Sequence, residues 1–238
     1  TSLKNVTFEL RQGEILGIGG VAGNGQDELF AVLSGEQVSN KGSISFKDTN
    51  INKLTPNQRR KIGLLSAPEE RLGHAAAPNM SLIENILITS EQSQNLVSKG
   101  FIDWKKSKAF AEKVINKFDV RTPGSQNTAG SLSGGNLQKF VIGREILQNP
   151  SVFIVNQPTW GVDAAAASSI RQALLTLSGN GAAILVISQD LDELLEISDQ
   201  FAALNEGALT KTKTTAKLSL EQIGLMMGGA KDLEANNA

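Results

Sequence analysis

The sequence predicts an α/β fold: a mostly parallel sheet with helices on its faces, an N-terminal antiparallel β part, and an inserted α-helical subdomain. Three observations carry that expectation. Short apolar runs at residues 14–18, 152–155 and 183–187 alternate with segments of helical spacing, as when parallel strands return through helices. The runs at 152–155 and 183–187 are apolar without interruption, as strands covered on both faces are. Between them, from about Met80 to Gly130, strand texture gives way to helix signals. Residues 1–79 and 131–227 are therefore assigned to the α/β core, residues 80–130 to the helical subdomain, and residues 228–238 to a frayed tail.

The elements follow in order. Val6, Phe8 and Leu10 lie two apart, as on a half-buried strand. The run at 14–18 ends in a glycine-rich turn, and a helix starts near Gln26 with Leu29, Phe30 and Leu33 on one face. Residues 42–46 alternate as a strand, Thr55-Pro56 reads as an N-cap followed by Pro at the first helical position, and residues 62–65 form a strand. Ser81-Leu82-Ile83-Glu84 is a capping box. Asp103 caps a long helix that aligns Phe110, Val114, Ile115 and Phe118, and residues 122–130 are rich in turn formers. Residues 136–148 are helical, 152–155 a buried strand, 164–177 a helix ending near Gly179, and 183–187 another buried strand. Asp190 opens a short helix, and residues 201–204 form a last strand that turns at Glu206-Gly207.

Bulk properties narrow the function. The 238 residues carry 23 Lys and Arg against 24 Asp and Glu. That balance gives no basic footprint for nucleic acid and no polybasic membrane anchor. There is no Cys, so disulfides and thiolate metal sites are excluded. No apolar run approaches the roughly 18 residues of a membrane span, so a role at a membrane needs a separate membrane partner. Thr1 stands without an initiator Met, and a fragment of a longer chain is expected. The single His, His74, removes His-based metal sites and is expected to be an ordinary loop residue.

Four motifs stand out. Gly20-Val21-Ala22-Gly23-Asn24-Gly25-Gln26-Asp27 follows a strand and opens a helix. Glycines let successive N–H groups curl toward a phosphate, and the helix start adds partial positive charge. A full phosphate-binding loop ends in Gly-Lys-Ser/Thr; Gln26 and Asp27 replace the last two, and a plain strand-to-helix turn explains the glycines equally well. Leu132-Ser133-Gly134-Gly135-Asn136-Leu137-Gln138 also opens a helix, and its plainer reading is a flexible cap. The strand at 152–155 runs into Asn156-Gln157-Pro158-Thr159, where two carboxylates would support Mg²⁺ and position water; otherwise it is a core strand with a polar end. Trp160-Gly161-Val162-Asp163 is a turn, and Ile187-Ser188-Gln189-Asp190 ends the next strand.

Taken in order, these motifs resemble the ABC ATPase layout over nearly the whole chain, with Leu-Ser-Gly-Gly as the most specific piece. Pro68-Glu69-Glu70-Arg71, Gln157-Pro158-Thr159 and Ser188-Gln189-Asp190-Leu191-Asp192-Glu193 further resemble the second ABC domain of tandem importers for simple sugars and nucleosides. Trp160 departs from that group, which often has Arg there.

The resemblance implies a P-loop NTPase core of ABC type. It implies nucleotide contacts at Gly20, Gly23, Asn24, Gly25, Gln26, Asp27, Glu28 and Glu69, the last near a position that faces the membrane subunit. It places weakened catalytic positions at Asn156, Gln157 and Gln189, and the D-loop carboxylate at Asp163. Ser133, Gly134, Gly135, Asn136 and Gln138 would act on ATP held by a partner domain. ATP would bind weakly at the chain's own site, and Mg²⁺ would enter through the partner site, with no metal ligands of its own. Replacing a Lys charge about 4 Å from phosphate removes on the order of 4 kcal/mol at an effective dielectric near 20, before screening. The implied partners are a first ABC domain of the same chain, transmembrane permease subunits and, indirectly, a substrate-binding protein; nucleic acid is not among them. The implied location is the cytoplasmic face of the membrane, and the domain alone would hydrolyse almost no ATP. Two alternatives stay open: a self-sufficient slow ATPase using Asp27, Glu28 or Glu69, and a soluble ABC ATPase unconnected with transport.

Overall fold

The continuous apolar runs form the middle of one seven-stranded sheet in the computed structural model, which describes residues 1–39 and 41–229. The first half of the chain contributes β1 (Ile15–Gly19), α1 (Gln26–Ser34), the small hairpin β2 (Ser45–Phe46) and β3 (Thr49–Asn50), α2 (Pro56–Lys61) and β4 (Leu64–Ala67). Then come α3 (Leu82–Ser90), a second small hairpin β5 (Val97–Ser98) and β6 (Phe101–Ile102), and α4 (Trp104–Lys117). The rest comprises α5 (Gly134–Ile146), β7 (Val152–Asn156), α6 (Ala164–Gly179), β8 (Ala183–Ser188), α7 (Leu191–Ile197), β9 (Gln200–Asn205), β10 (Ala208–Leu209), β11 (Lys213–Thr214) and α8 (Leu220–Met227).

The sheet order is β10-β9-β1-β8-β7-β4, with β11 also on β9. The β9–β1, β1–β8, β8–β7 and β7–β4 pairs are parallel, whereas β10 and β11 run antiparallel to β9. Alternate side chains of the central strands enter two different cores. Ile15, Phe153, Val155, Ile184 and Val186 pack with α3, α4 and α5 residues such as Ile86, Val114 and Phe140. Leu16, Ile18, Ile154, Leu185 and Ile187 pack with Leu29 and Phe30 of α1.

Local signals hold at several helix ends. Thr55, Ser81 and Asp103 each accept a backbone N–H from their helix, and the first two complete capping boxes with Gln58 and Glu84. The strand limits differ from those the pattern predicts. Val6, Phe8 and Leu10 alternate in exposure and pack on the second core, but residues 1–12 join no hydrogen-bonded ladder. Alternation records which side is buried, not whether a partner strand lies beside it. Only Ser45–Phe46 of 42–46 is a strand, and Ile62 ends α2 while the strand begins at Leu64. α5 begins at Gly134, two residues before the expected start. The tail expected over 228–238 lies, beyond Gly229, outside the described residues.

Helix α5 is anchored by buried ions. Glu145 is fully buried; Arg60 of α2 donates to it at 2.6 Å, Arg144 at 2.8 Å and the Thr89 hydroxyl of α3 at 2.8 Å. Arg144 also donates to the carbonyls of Asn85 at 3.0 Å and Ala75 at 2.9 Å. Burial opposes ionisation of Glu145, but the two guanidiniums outweigh it and hold the carboxyl below its usual range. One carboxylate thereby joins α2, α3 and α5 and fixes the carboxyl end of α5.

Candidate functional site

Register brings three polar loops together at one edge of the sheet. Gly19 of β1 stands opposite Ser188 of β8, and Asn156 of β7 opposite Ile187. The glycine loop, the Asn156-Gln157 end and the Ser188-Gln189 end therefore emerge side by side at the carboxyl ends of parallel strands, where α/β sheets place ligands.

The glycine loop is pre-formed. Gly25, with φ 115°, precedes α1 in a conformation that L side chains rarely adopt. A Cβ on Gly20 would sit 2.5 Å from Gln26 Nε2 and 2.6 Å from the Leu204 carbonyl. Asn24 ties the loop to the β9–β10 turn: its side chain accepts from Glu206 N–H at 3.1 Å, and its carbonyl from Gly207 N–H at 2.8 Å. Gly23 is exposed.

The side chains at the altered positions are engaged with one another. Gln26 is buried and donates to the Val21 carbonyl within its own loop at 2.9 Å. Asn156, also buried, donates to Asp27 at 3.3 Å, while its Oδ1 has no partner among the described residues. Gln157 is buried with φ 51°, and its Oε1 accepts from the Ser188 hydroxyl at 3.4 Å and Gln189 N–H at 3.3 Å. Gln189 itself is exposed. Glu28 pairs with the Thr1 amino group.

Asp27, Glu69, Arg71, Asn156, Trp160 and Gly134 line an open cleft of 910 Å³. Burial and the Asp27 carboxylate push the Glu69 carboxyl above its ordinary range, against the pull of Arg71. His74 lines the same cleft but pairs with Glu36 at 3.1 Å and stands edge-on to Phe30. Among the described residues no group of three or more His, Asp or Glu side chains is arranged to hold a metal ion.

At the start of α5, Ser133 and Gly134 are exposed. The Ser133 hydroxyl does not cap the helix but accepts from Asn136 Nδ2 at 2.9 Å, and Asn136 Oδ1 accepts from Arg121 N–H at 2.9 Å. Asp163 caps α6 through Ala166 N–H at 2.8 Å, and its Oδ2 would lie 4.0 Å from a Cβ on Gly135. Gln138 is buried; its Oε1 accepts from Arg71 Nε at 2.9 Å and its Nε2 donates to the Pro158 carbonyl at 2.8 Å. The sequence places Gln138 among the residues that act on a partner's ATP, whereas its side chain is buried and bonded within the chain; Arg71 is given no role there. No local signal links positions 67 residues apart.

Residues 3–160 match the family model described as ABC transporter. The chain is 35% identical over 236 residues to a glucose import ATP-binding protein of Haloferax volcanii, covering 98% of this chain and 43% of that protein. It is 34% identical over 227 residues to a nucleoside import ATP-binding protein of Lactococcus lactis, covering 95% and 45%. The chain thus spans less than half the length of these curated relatives. Among solved structures it superposes on a nucleotide-free ATP-binding cassette from an ABC transporter with a TM-score of 0.72 at 22% identity, covering 95% of this chain and 88% of that one. A dimeric cassette bound to ADP and Pi gives 0.74 at 21% identity, covering 90% of each. These likenesses establish the ABC ATPase cassette fold.

Proposed function

The chain belongs to the ABC transporter family, and from that premise we propose that it is an ATP-binding domain of an importer for a simple sugar or nucleoside, acting as a degenerate half. Its Ser133, Gly134, Gly135 and Asn136 serve an ATP molecule held by a partner ABC domain, while its own glycine loop binds nucleotide weakly. The observation that carries this reading is the contrast between two helix starts. At α1 the side chains that would meet phosphate and Mg²⁺ bond to protein instead: Gln26 to Val21, Asn156 to Asp27 and Gln157 to the end of β8. Neither helix has a side-chain cap, but the first turn of α5 carries no acidic residue, whereas that of α1 carries Asp27 and Glu28, and Ser133 and Gly134 are exposed.

The residues support a division of labour. Gly20, Gly23 and Gly25 keep a backbone cradle, so ATP fits as a weak ligand. Mg²⁺ does not fit the chain's own edge well, because one candidate ligand is an amide already bonded to the other. On this reading Mg²⁺ is held at the partner's site, and Ser133 and the glycine N–H groups orient that nucleotide's outer phosphate. Residues 1–79 and 131–227 form the core, and 80–130 the helical signature subdomain. Among the described residues no helix is long and apolar enough to cross a membrane, which fits a domain that docks on separate permease subunits at the cytoplasmic face, beside a first ABC domain of a longer chain.

A second reading has one observation in its favour. Asp27, Glu69 and Asn156 Oδ1, unpartnered among the described residues, face one cleft, oxygen ligands of the kind hard cations use. On that reading the chain is a slow ATPase in its own right.

One paired measurement separates the two. In the full-length subunit assembled with its membrane partners, Gly135→Asp is expected to lower ATPase activity by about 100-fold, the effect of losing an oriented phosphate contact. Gln26→Ala is expected to cost less than about threefold, because a group bonded to Val21 contributes little to phosphate. A thermal melt controls for folding. Equal losses would establish the slow-ATPase reading instead.

A further inference from the structure

Arg71 joins three segments that lie far apart in sequence. It follows β4, donates to Gln138 in the first turns of α5, and through Gln138 reaches the carbonyl of Pro158 in the turn after β7. Its guanidinium also lies across two glycines. A Cβ on Gly134 would come within 2.9 Å of Nη1, and one on Gly161 within 3.4 Å of Nη2. Gly161 already has φ 63°, so both flanks of the slot are backbone. A planar fork fits such a slot; the point charge of a Lys does not.

We propose that Arg71 is a positioning residue for the signature segment. It acts through Gln138 to fix the start of α5 relative to the turn after β7, so that Ser133, Gly134 and Gly135 are presented in one register with Asp163. The proposal rests on the reading that this segment serves nucleotide held by a partner domain. Arg71 itself touches no nucleotide in it. The anchor at Glu145 fixes α5 near its carboxyl end, and the Arg71–Gln138 pair fixes the amino end, where a small tilt displaces Ser133 most.

The test uses the full-length subunit assembled with its membrane partners in vesicles, measuring kcat and KM for ATP. Arg71→Met is expected to lower kcat about tenfold, the scale of one hydrogen bond to a charged group. KM is expected to change less than about threefold, because nucleotide capture belongs to the other domain. Gln138→Leu is expected to match Arg71→Met, and the double variant to be no worse than either, because the two side chains act as one unit. Arg71→Lys is expected to recover at most a small part of the loss, because its ammonium keeps a donor for Gln138 but cannot fill the slot between the two glycines. A merely structural role would lower the melting temperature and leave kcat per folded complex unchanged, which overturns the proposal. So do losses that multiply in the double variant. Should Arg71→Met fail to fold, the Lys and Gln138 variants decide by the same criteria. Gly135→Asp is the reference. If it is inactive while Arg71→Met keeps kcat within twofold, the positioning role falls and the signature reading stands. If Gly135→Asp retains full activity, the signature reading falls, and the positioning role with it.

Discussion

Helices α1 and α5 both open on glycine-rich turns without a side-chain cap, yet they leave their positive ends in opposite states. The first turn of α1 carries Asp27 and Glu28, whereas the first turn of α5 carries no acidic residue. Two carboxylates already complement the partial charge at α1 and weaken its attraction for an incoming anion. The start of α5 has no such carboxylate to complement it. The amides at Gln26, Asn156 and Gln157 teach the same lesson. Each bonds to protein groups nearby, although Asn156 Oδ1 finds no partner among the described residues.

The largest effect that would sharpen this contrast is on stability. Glu145→Ala leaves Arg60 and Arg144 without their carboxylate. Breaking a buried pair in that way costs about 3–5 kcal/mol, and the loss should appear as a lower denaturant midpoint. Gln26→Ala removes one hydrogen bond to the Val21 carbonyl and should cost about 1–2 kcal/mol. Equal costs would mean that α5 is no more firmly anchored than the glycine loop.

A second variant would break the contrast outright. Gln26→Lys, Asp27→Ser, Asn156→Asp and Gln157→Glu together restore the charges and hydroxyl that phosphate and Mg²⁺ use. The wild-type chain is expected to bind ATP with Kd on the order of 0.1–1 mM, about 4–5.5 kcal/mol. The restored variant should bind at least about tenfold tighter in a calorimetric titration with Mg²⁺ present, a gain of about 1.4 kcal/mol. No gain would show that the backbone of the loop, and not its side chains, limits binding.

The sequence showed the central sheet and the order of the loops because both rest on local signals. Residues 152–155 and 183–187 are apolar without interruption, and Ser81 and Asp103 sit where a capped helix must start. The antiparallel strands β10 and β11 escaped it, being two residues each and defined only by their pairing with β9. Helix α8 escaped it too, although Ser219 and Gln222 form a capping box. At the site, the motifs named the positions but not their bonds. That Asn156 faces Asp27 across 129 residues, or Arg71 faces Gln138, depends on the sheet register and on where α5 lands.

The smallest expected effect contrasts two buried glutamates. Glu145 is held below its usual range by two guanidiniums. Its contribution is present above the unfolded pKa and is lost as pH falls through the folded one. Glu193 is the reverse. It is buried beneath the Ser188 end of β8, and burial pushes its carboxyl above the ordinary range despite the Ser188 hydroxyl that donates to it at 2.9 Å. The folded state then binds the proton more tightly than the unfolded state. Stability attributable to Glu193 is therefore full below the unfolded value near 4.3 and declines as pH rises toward the folded one. Glu193→Gln is isosteric, cannot ionise and can still accept from Ser188. It is expected to remove that decline and to raise the melting temperature at pH 8 by at least about 2 °C, with little change at pH 4. Melting curves of both proteins across that range provide the measurement. Parallel curves at every pH would mean that Glu193 ionises as readily in the fold as outside it, and that the end of β8 is wetter than its burial implies.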